Sequence, residues 1–425
     1  MNEKHSHILE LITKLEKHGE VIFLDSQMPG HPASQKSLLA AKPSAWIKAY
    51  SEEVIIFEKG VKKRIKGDPW EELKKFKNRN QQWLFGYFGY DLKNQIEDLE
   101  SKNEPLIKAP DLFFMIPDIL LEVDLNGRIR IIKGSVPEAK MYSPSNDFQF
   151  NTAHLISEEE YISKVKRAQI DIYEGEYYEI NLSHPIVFNF NGDPLALYQA
   201  MRDAGPVPFG GYLSLKDFTV CCESPERFLK KRGKQLWSQP IKGTLPRKGM
   251  DHEEQHIEKL RDSEKEQAEN LMIVDLVRND LGRVAIKGSV KVSELFEIQS
   301  FETVHQMVST VECEVDPEKC SISLIKACFP MGSMTGAPKI AAMKAIDAYE
   351  NYKRGVYSGA LGYIKPNGDF DFNVIIRTAI IEDDKLVYPV GGAITSDSDP
   401  KAEWEETLVK AKAITNLFNS LKKPE

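Results

Sequence analysis

Apolar positions along this chain switch between two periods. Ile8, Leu9, Leu11, Ile12 and Leu15 recur at helical spacing within a charged first segment, which predicts an amphipathic helix. Val21–Leu24 then reads as a strand, followed by a turn rich in Pro and Gly, and Glu53–Phe57 as another strand. Ile119–Val123 and Arg128–Ile132 flank Asn126-Gly127, a dipeptide that enters positive φ readily and so favours a hairpin. From Ser157 the period lengthens again: Tyr161, Val165, Ala168 and Ile172 share one face and predict a helix over Glu158–Gly175. Strand-like runs follow at Tyr178–Leu182, Tyr212–Leu215 and Phe218–Cys222, and helical patterns at about 252–279, 319–328, 337–350 and 400–421.

Strand pairs and helices arriving in blocks, with hairpin turns such as Asn367-Gly368, predict an α+β fold in preference to a doubly wound parallel sheet. Residues 134–156, rich in Ser, Pro and Asn and without periodicity, are the linker candidate. They divide the chain into an N-terminal region, 1–145, and a second region, 157–420. A chain of 425 residues can bury both in one interwoven globular unit.

Composition narrows the function class. A formal net charge of −8, with no basic stripe interleaved with aromatics, argues against nucleic acid as a partner. The five cysteines are odd in number and lack a C-x-x-C pair, the usage of a reducing compartment. No apolar run approaches the roughly 20 residues of a membrane span, and the first segment lacks the apolar core of a signal peptide. A soluble, cytoplasmic protein is the expectation.

Several segments carry chemistry. In Pro240-Ile241-Lys242-Gly243-Thr244-Leu245-Pro246, prolines stiffen the flanks and Gly243 lets backbone approach a ligand closely. Lys242 there, kept partly dry with a lowered pKa, is a candidate nucleophile. Glu266 and Glu269 lie three apart on one predicted helix, as do Glu403 and Glu406 on another that opens with Asp399-Pro400, a cap and first-turn proline. Each pair alone also fits a solvated acidic face. Two such pairs could converge on one hard cation such as magnesium. The turn Pro330-Met331-Gly332-Ser333-Met334-Thr335-Gly336 precedes a helix starting near Ala337 or Pro338, a place where exposed N–H groups suit an anion. Arg377 sits in an apolar, strand-like run, where it needs either an internal acid or a carboxylate ligand. Glu226 and His305 are uninformative by themselves.

Together these motifs resemble the chorismate-utilising enzymes, the family of anthranilate synthase component I, aminodeoxychorismate synthase component I, and the isochorismate and salicylate synthases. The resemblance rests on Tyr177–Ser183, Ser224–Phe228, the Lys242 segment, Ala268–Met272 through Arg278–Asp280, the Gly332 turn and Asp397–Thr407. It extends to Phe23–Ser26 and Gly86–Asp91 in the N-terminal region. It implies a large two-layer antiparallel β-sandwich flanked by helices (α/β/β/α). Lysine in the Pro-Ile-Lys-Gly-Thr run is characteristic of the aminodeoxychorismate-forming branch, whereas anthranilate-forming members typically carry alanine there.

The resemblance further implies that Lys242 attacks C2 of chorismate as the C4 hydroxyl leaves with a proton from Glu226. Ammonia then adds at C4, expels the lysine and gives 4-amino-4-deoxychorismate. It implies magnesium as cofactor, with Glu269 and Glu406 as direct ligands and Glu266 and Glu403 acting through water. Gly243, Thr244, His305, Tyr357, Arg377 and Gly392 match substrate-holding positions. No Gly-x-Cys-x-Gly glutaminase elbow occurs in the sequence, so the implied ammonia source is solution or a separate glutamine amidotransferase subunit. The implied product is aminodeoxychorismate itself, without onward cleavage. Four residues depart from the family pattern: Glu179 stands where glutamine is common, Met331 where glycine is usual, Ala393 where a third glycine is frequent, and Asp25 where the tryptophan-inhibited relatives usually carry glutamate.

Overall fold

The computed structural model describes residues 3–28, 30–136, 148–247, 253–300 and 304–421. Its named strands join one hydrogen-bonded network, and their pairings are antiparallel. Consecutive residues of the central strands diverge into two different cores. Val21 and Phe23 face one core and Ile22 the other; Leu39 and Ala41 are likewise separated from Leu38 and Ala40, and Cys221 from Val220 and Cys222. A strand buried on both faces reads as an unbroken apolar run, the physical reason that Val21–Leu24 and Phe218–Cys222 show no alternation.

Helices close both cores from outside, giving the α/β/β/α layering. Leu9 and Ile12 of Glu3–Glu16, Leu197 and Tyr198 of Pro194–Ala204, and Ile414 of Pro400–Leu421 cover one side. Trp70 and Phe76 of Pro69–Asn80, Ile273 and Val277 of Glu264–Gly282, and Leu324 of Ser321–Cys328 cover the other. Each such side chain contributes about 1.5–3 kcal/mol on burial. Strands from the two halves of the sequence pair directly: Val21–Asp25 with Phe209–Ser214, and Leu84–Phe88 with Ala360–Ile364.

Local signals place many of the elements. Ser157 caps Glu158–Glu174 by accepting from the Glu160 N–H at 3.1 Å, and Gly175 ends it at φ +85°, where a residue without Cβ is unstrained. The strands flanking Asn126-Gly127 and Asn367-Gly368 form the antiparallel pairs that those turns predict.

Two elements differ from the sequence reading. Within the presumed linker, Phe148–His154 is a strand paired with Glu179–Gly192, and residues 137–147 lie outside the described residues. Its Asn and Thr side chains hide the element, because strand pairing satisfies backbone groups whatever the outward face carries. The long helical pattern from about 252 is two helices, Glu253–Arg261 and Glu264–Gly282. Ser263 starts the second by accepting from the Glu266 N–H at 3.4 Å. Among the described residues no helix is long and apolar enough to cross a membrane, and all five cysteines are free thiols.

Candidate active site

Lys242 lies on Ile241–Pro246, which pairs with Val304–Glu314. Ile241 opposes Val308 and Thr244 opposes Gln306, so three steps on one strand match two on the other. The extra residue is a bulge, a device that bends a strand and re-aims its side chains. Gly243, at φ +85°, supplies the backbone conformation, and an added Cβ would stand 2.9 Å from Glu266 Oε2. That contact brings the first acidic helix directly over the lysine strand. Thr244 takes part in the backbone pairing, but its side chain lies outside the described residues.

The aimed lysine meets Glu179. Lys242 Nζ donates to Glu179 Oε1 at 2.9 Å; the lysine side chain is 11% exposed and the glutamate 1%. Glu179 Oε2 is buried and has no hydrogen-bond partner among the described residues. Burial alone lowers the lysine pKa, but Glu179, Glu269 and Glu406 outweigh it and hold the ammonium above its ordinary value. This corrects the lowered pKa that the sequence predicts: the segment does dry the lysine, but carboxylates from three separate elements restore its charge.

Glu226, between strands Thr219–Ser224 and Arg227–Arg232, is buried and accepts from Ser333 Oγ at 2.7 Å. Burial pushes its pKa up to about 7, against the opposing effects of Ser333, Lys242, the Ile241 N–H and Arg377. A carboxyl titrating near neutrality is suited to donating a proton. The Ser333 hydroxyl comes from the glycine-rich turn, which differs from the anion cradle predicted for it. Met334 and Thr335 spend their N–H groups on Met331 and Gly332 carbonyls, and the turn is buried. Gly336 is obligatory, since a Cβ there would stand 2.0 Å from the Glu179 carbonyl oxygen. Met331 sits at φ −64° and ψ 140° with its side chain in the core, so no glycine is needed at that position.

Arg377 occupies a bend at φ +50° between Phe370–Val374 and Thr378–Glu382, not an apolar strand. Burial lowers its pKa, with Tyr388 and Glu226 opposing. Among the described residues no hydrogen bond or ion pair engages its guanidinium, in contrast to Arg354, which is locked to Glu350 at 2.6 Å. His305 is fully buried with Nδ1 2.8 Å from Ser300 Oγ. Tyr357 is buried beneath the Arg354 guanidinium, 5.9 Å from its ring centroid.

The second acidic helix, Pro400–Leu421, is capped by Asp399 through the Ala402 N–H at 2.8 Å. It packs its carboxylates against Gly392, where a Cβ would lie 3.1 Å from Glu403 Oε2 and 3.9 Å from Glu406 Oε1. Burial raises Glu266, Glu269 and Glu403, and each is raised further by Glu406. Burial also raises Glu406, but Lys410 at 2.7 Å turns its net shift downward. The two pairs thus share one electrostatic field with Lys242. They do not form a finished coordination shell: among the described residues no group of three or more acidic, histidine or cysteine side chains stands close enough to hold a metal ion. Lys265 at 3.8 Å from Glu269, and Lys410 on Glu406, supply the counter-charge instead.

The profile of the family described as chorismate binding enzyme matches residues 19–416. The chain belongs to that family. An aminodeoxychorismate synthase component 1 from Escherichia coli is 33% identical over 416 residues, spanning 92% of either chain. An anthranilate synthase component 1 from Aquifex aeolicus is 32% identical over 449 residues, spanning 96% of this chain and 91% of its own. Among solved structures, anthranilate synthase component I from Streptococcus pneumoniae superposes with a TM-score of 0.78 at 27% identity, covering 91% of this chain and 93% of that one. Within this chorismate-binding chain, Glu179 and Ser333 are the site residues that sequence reasoning missed. Glu179 was visible only as a departure from glutamine, with no local signal tying it to a lysine 63 positions away.

Proposed function

We propose that this enzyme converts chorismate and ammonia to 4-amino-4-deoxychorismate. Aminodeoxychorismate synthases lead the similar relatives at 33–44% identity, with anthranilate synthases following at 30–32%. Lys242 carries the choice, because the anthranilate-forming relatives typically have alanine at this place, and here the lysine is aimed by a bulge into the shared site. Its amine forms a bond to C2 while Glu226, protonated near neutrality, donates to the departing C4 hydroxyl. Hydroxide is a poor leaving group, and a positioned acid is worth roughly 10²–10⁴ in rate. Arg377, with no hydrogen bond or ion pair on its guanidinium among the described residues, pairs one substrate carboxylate; Tyr357, His305, Gly243 and Gly392 shape the surrounding wall.

The donor set is four hard carboxylates, three of them raised by burial first and by Glu406 after it, and it fits magnesium. Glu269 and Glu406 would hold it directly and Glu266 and Glu403 through water, once Lys265 and Lys410 give way. A bound magnesium would neutralise the second substrate carboxylate and make the ring a better electrophile.

The deciding measurement is the product formed from chorismate, ammonium and magnesium. Aminodeoxychorismate is expected; anthranilate with pyruvate would transfer the chain to the other activity. A separate amidotransferase subunit is the proposed physiological nitrogen source. The chain alone is therefore expected to give no product from glutamine, and addition of that subunit to restore glutamine use; turnover with glutamine alone overturns the partner assignment.

Proton donation sets the pH dependence. A general acid works only while protonated, so its contribution is complete below its pKa and lost above it. Divided by the concentration of neutral NH₃, the rate at saturating chorismate is expected to be level in mildly acidic buffer and to fall as pH rises through about 7. Glu226→Gln is expected to lose roughly 10²–10⁴ in rate together with that limb. A parental profile in the variant removes Glu226 as the donor.

A further inference from the structure

We propose that Glu179 is a further catalytic residue, the base that takes the proton from the Lys242 ammonium so that the amine can attack. The inference deepens the reading above and rests on it. A lysine nucleophile must be neutral, yet Lys242 Nζ is ion-paired with Glu179 at 2.9 Å. Its proton therefore has to move at the moment of attack. Glu269 is 3.8 Å from Lys265, and Glu406 is engaged by Lys410 at 2.7 Å. Glu226 is the acid needed at the leaving group. Glu179 alone among these is hydrogen-bonded to Nζ, at 2.9 Å, and its buried second oxygen is without a partner among the described residues.

The geometry also fixes the base. Glu179 begins the strand Glu179–Gly192 and is paired across its backbone with Ala337, next to Gly336, whose missing side chain lets the two strands meet. A base on a strand start clamped in this way is held to its partner with little freedom to lose.

The proton balance closes without an added reagent. Glu179 takes one proton from Lys242, leaving a neutral amine whose lone pair forms the C2–N bond. Both conjugated ring double bonds shift, the C4–O bond breaks, and the hydroxyl leaves as water with the proton of Glu226. Ammonia bonds to C4, both double bonds shift back, and the C2–N bond breaks with its electron pair returning to Lys242. The C4 ammonium returns one proton to Glu226, and Glu179 returns the other to Lys242.

The test is Glu179→Gln, which keeps size and a hydrogen-bond acceptor but cannot hold the proton, with Glu179→Asp as a variant that can. Two readouts are compared with the parent: turnover across pH, and the rate at which Lys242 is acetylated by dilute acetic anhydride without substrate, followed by peptide mass spectrometry. Removing the anionic partner frees the amine, so Glu179→Gln is expected to be labelled faster at a given pH. Its turnover relative to the parent at the same pH is expected to be down on the order of 100-fold near neutrality and to recover as pH rises, while Glu179→Asp retains the parental profile shape.

A residue that only orders the site would move both readouts down together. Turnover in Glu179→Gln at or above the parent near neutrality, or labelling no faster than the parent, overturns the proposal. Product identity is scored in the parent separately, so a parent releasing anthranilate defeats the activity reading, whereas the variant-to-parent ratio decides the proton transfer.

Discussion

Lys242→Ala is expected to abolish aminodeoxychorismate formation, with a loss on the order of 10³-fold or more, as for removal of other enzymatic nucleophiles. The fold should survive. The lysine side chain is held by one ion pair, and the bulge that aims it depends on Gly243 and the pairing of Ile241 and Thr244. Chorismate should still bind, because Arg377, Tyr357, His305 and Gly392 stand on other elements. Loss of Lys242 leaves Glu179 buried with neither oxygen paired, which costs about 1–3 kcal/mol of stability. A thermal melt should therefore show a modest destabilisation. Steady-state turnover with product identification is the check. Near-parental aminodeoxychorismate formation sinks the nucleophile, whereas residual activity shifted to anthranilate fits a site that has become like its alanine-bearing relatives.

Glu269→Gln and Glu406→Gln are expected to have the next largest effect, abolishing turnover or raising the magnesium requirement by at least about tenfold each, since each removes one charged oxygen donor from a hard cation. Glu266→Gln and Glu403→Gln should act more weakly, as positions reached through water. The pairs are incomplete as a shell without the ion, so binding must displace Lys265 and Lys410 from their present partners. A titration of initial rate against magnesium for the four variants and the parent tests this. Curves that superpose on the parent would return both acidic pairs to the status of solvated helix faces. A Lys410→Met variant that lowers the magnesium requirement would support the displacement.

How much of this was legible in the sequence depends on the range of the interaction concerned. Local chemistry was plain: Ser157 and Gly175 bound a helix, Asp399-Pro400 opens another, and the Asn-Gly turns join antiparallel pairs. Each is decided within a few residues. The strand Phe148–His154 escaped notice because its partner lies some 40 positions away, and polar residues on an outward face leave no pattern to read.

For the site, the sequence by itself determined the cast: a lysine in a proline-stiffened run, two pairs of glutamates at helical spacing, an arginine without an obvious partner, and a family pattern running nearly from end to end. It could not determine the charge state of those groups, because that depends on distances between elements far apart in the chain. Tertiary structure placed Glu179 on Lys242 and reversed the sign predicted for the lysine pKa. It sank Glu226 beneath the Ser333 turn and pushed it up to about 7. It also put Arg377 on a left-handed bend where no described side chain engages it. Spacing along a helix fixes which carboxylates share a face, but burial and the sum of neighbouring charges fix where a proton resides, and both of those are properties of the packed molecule alone.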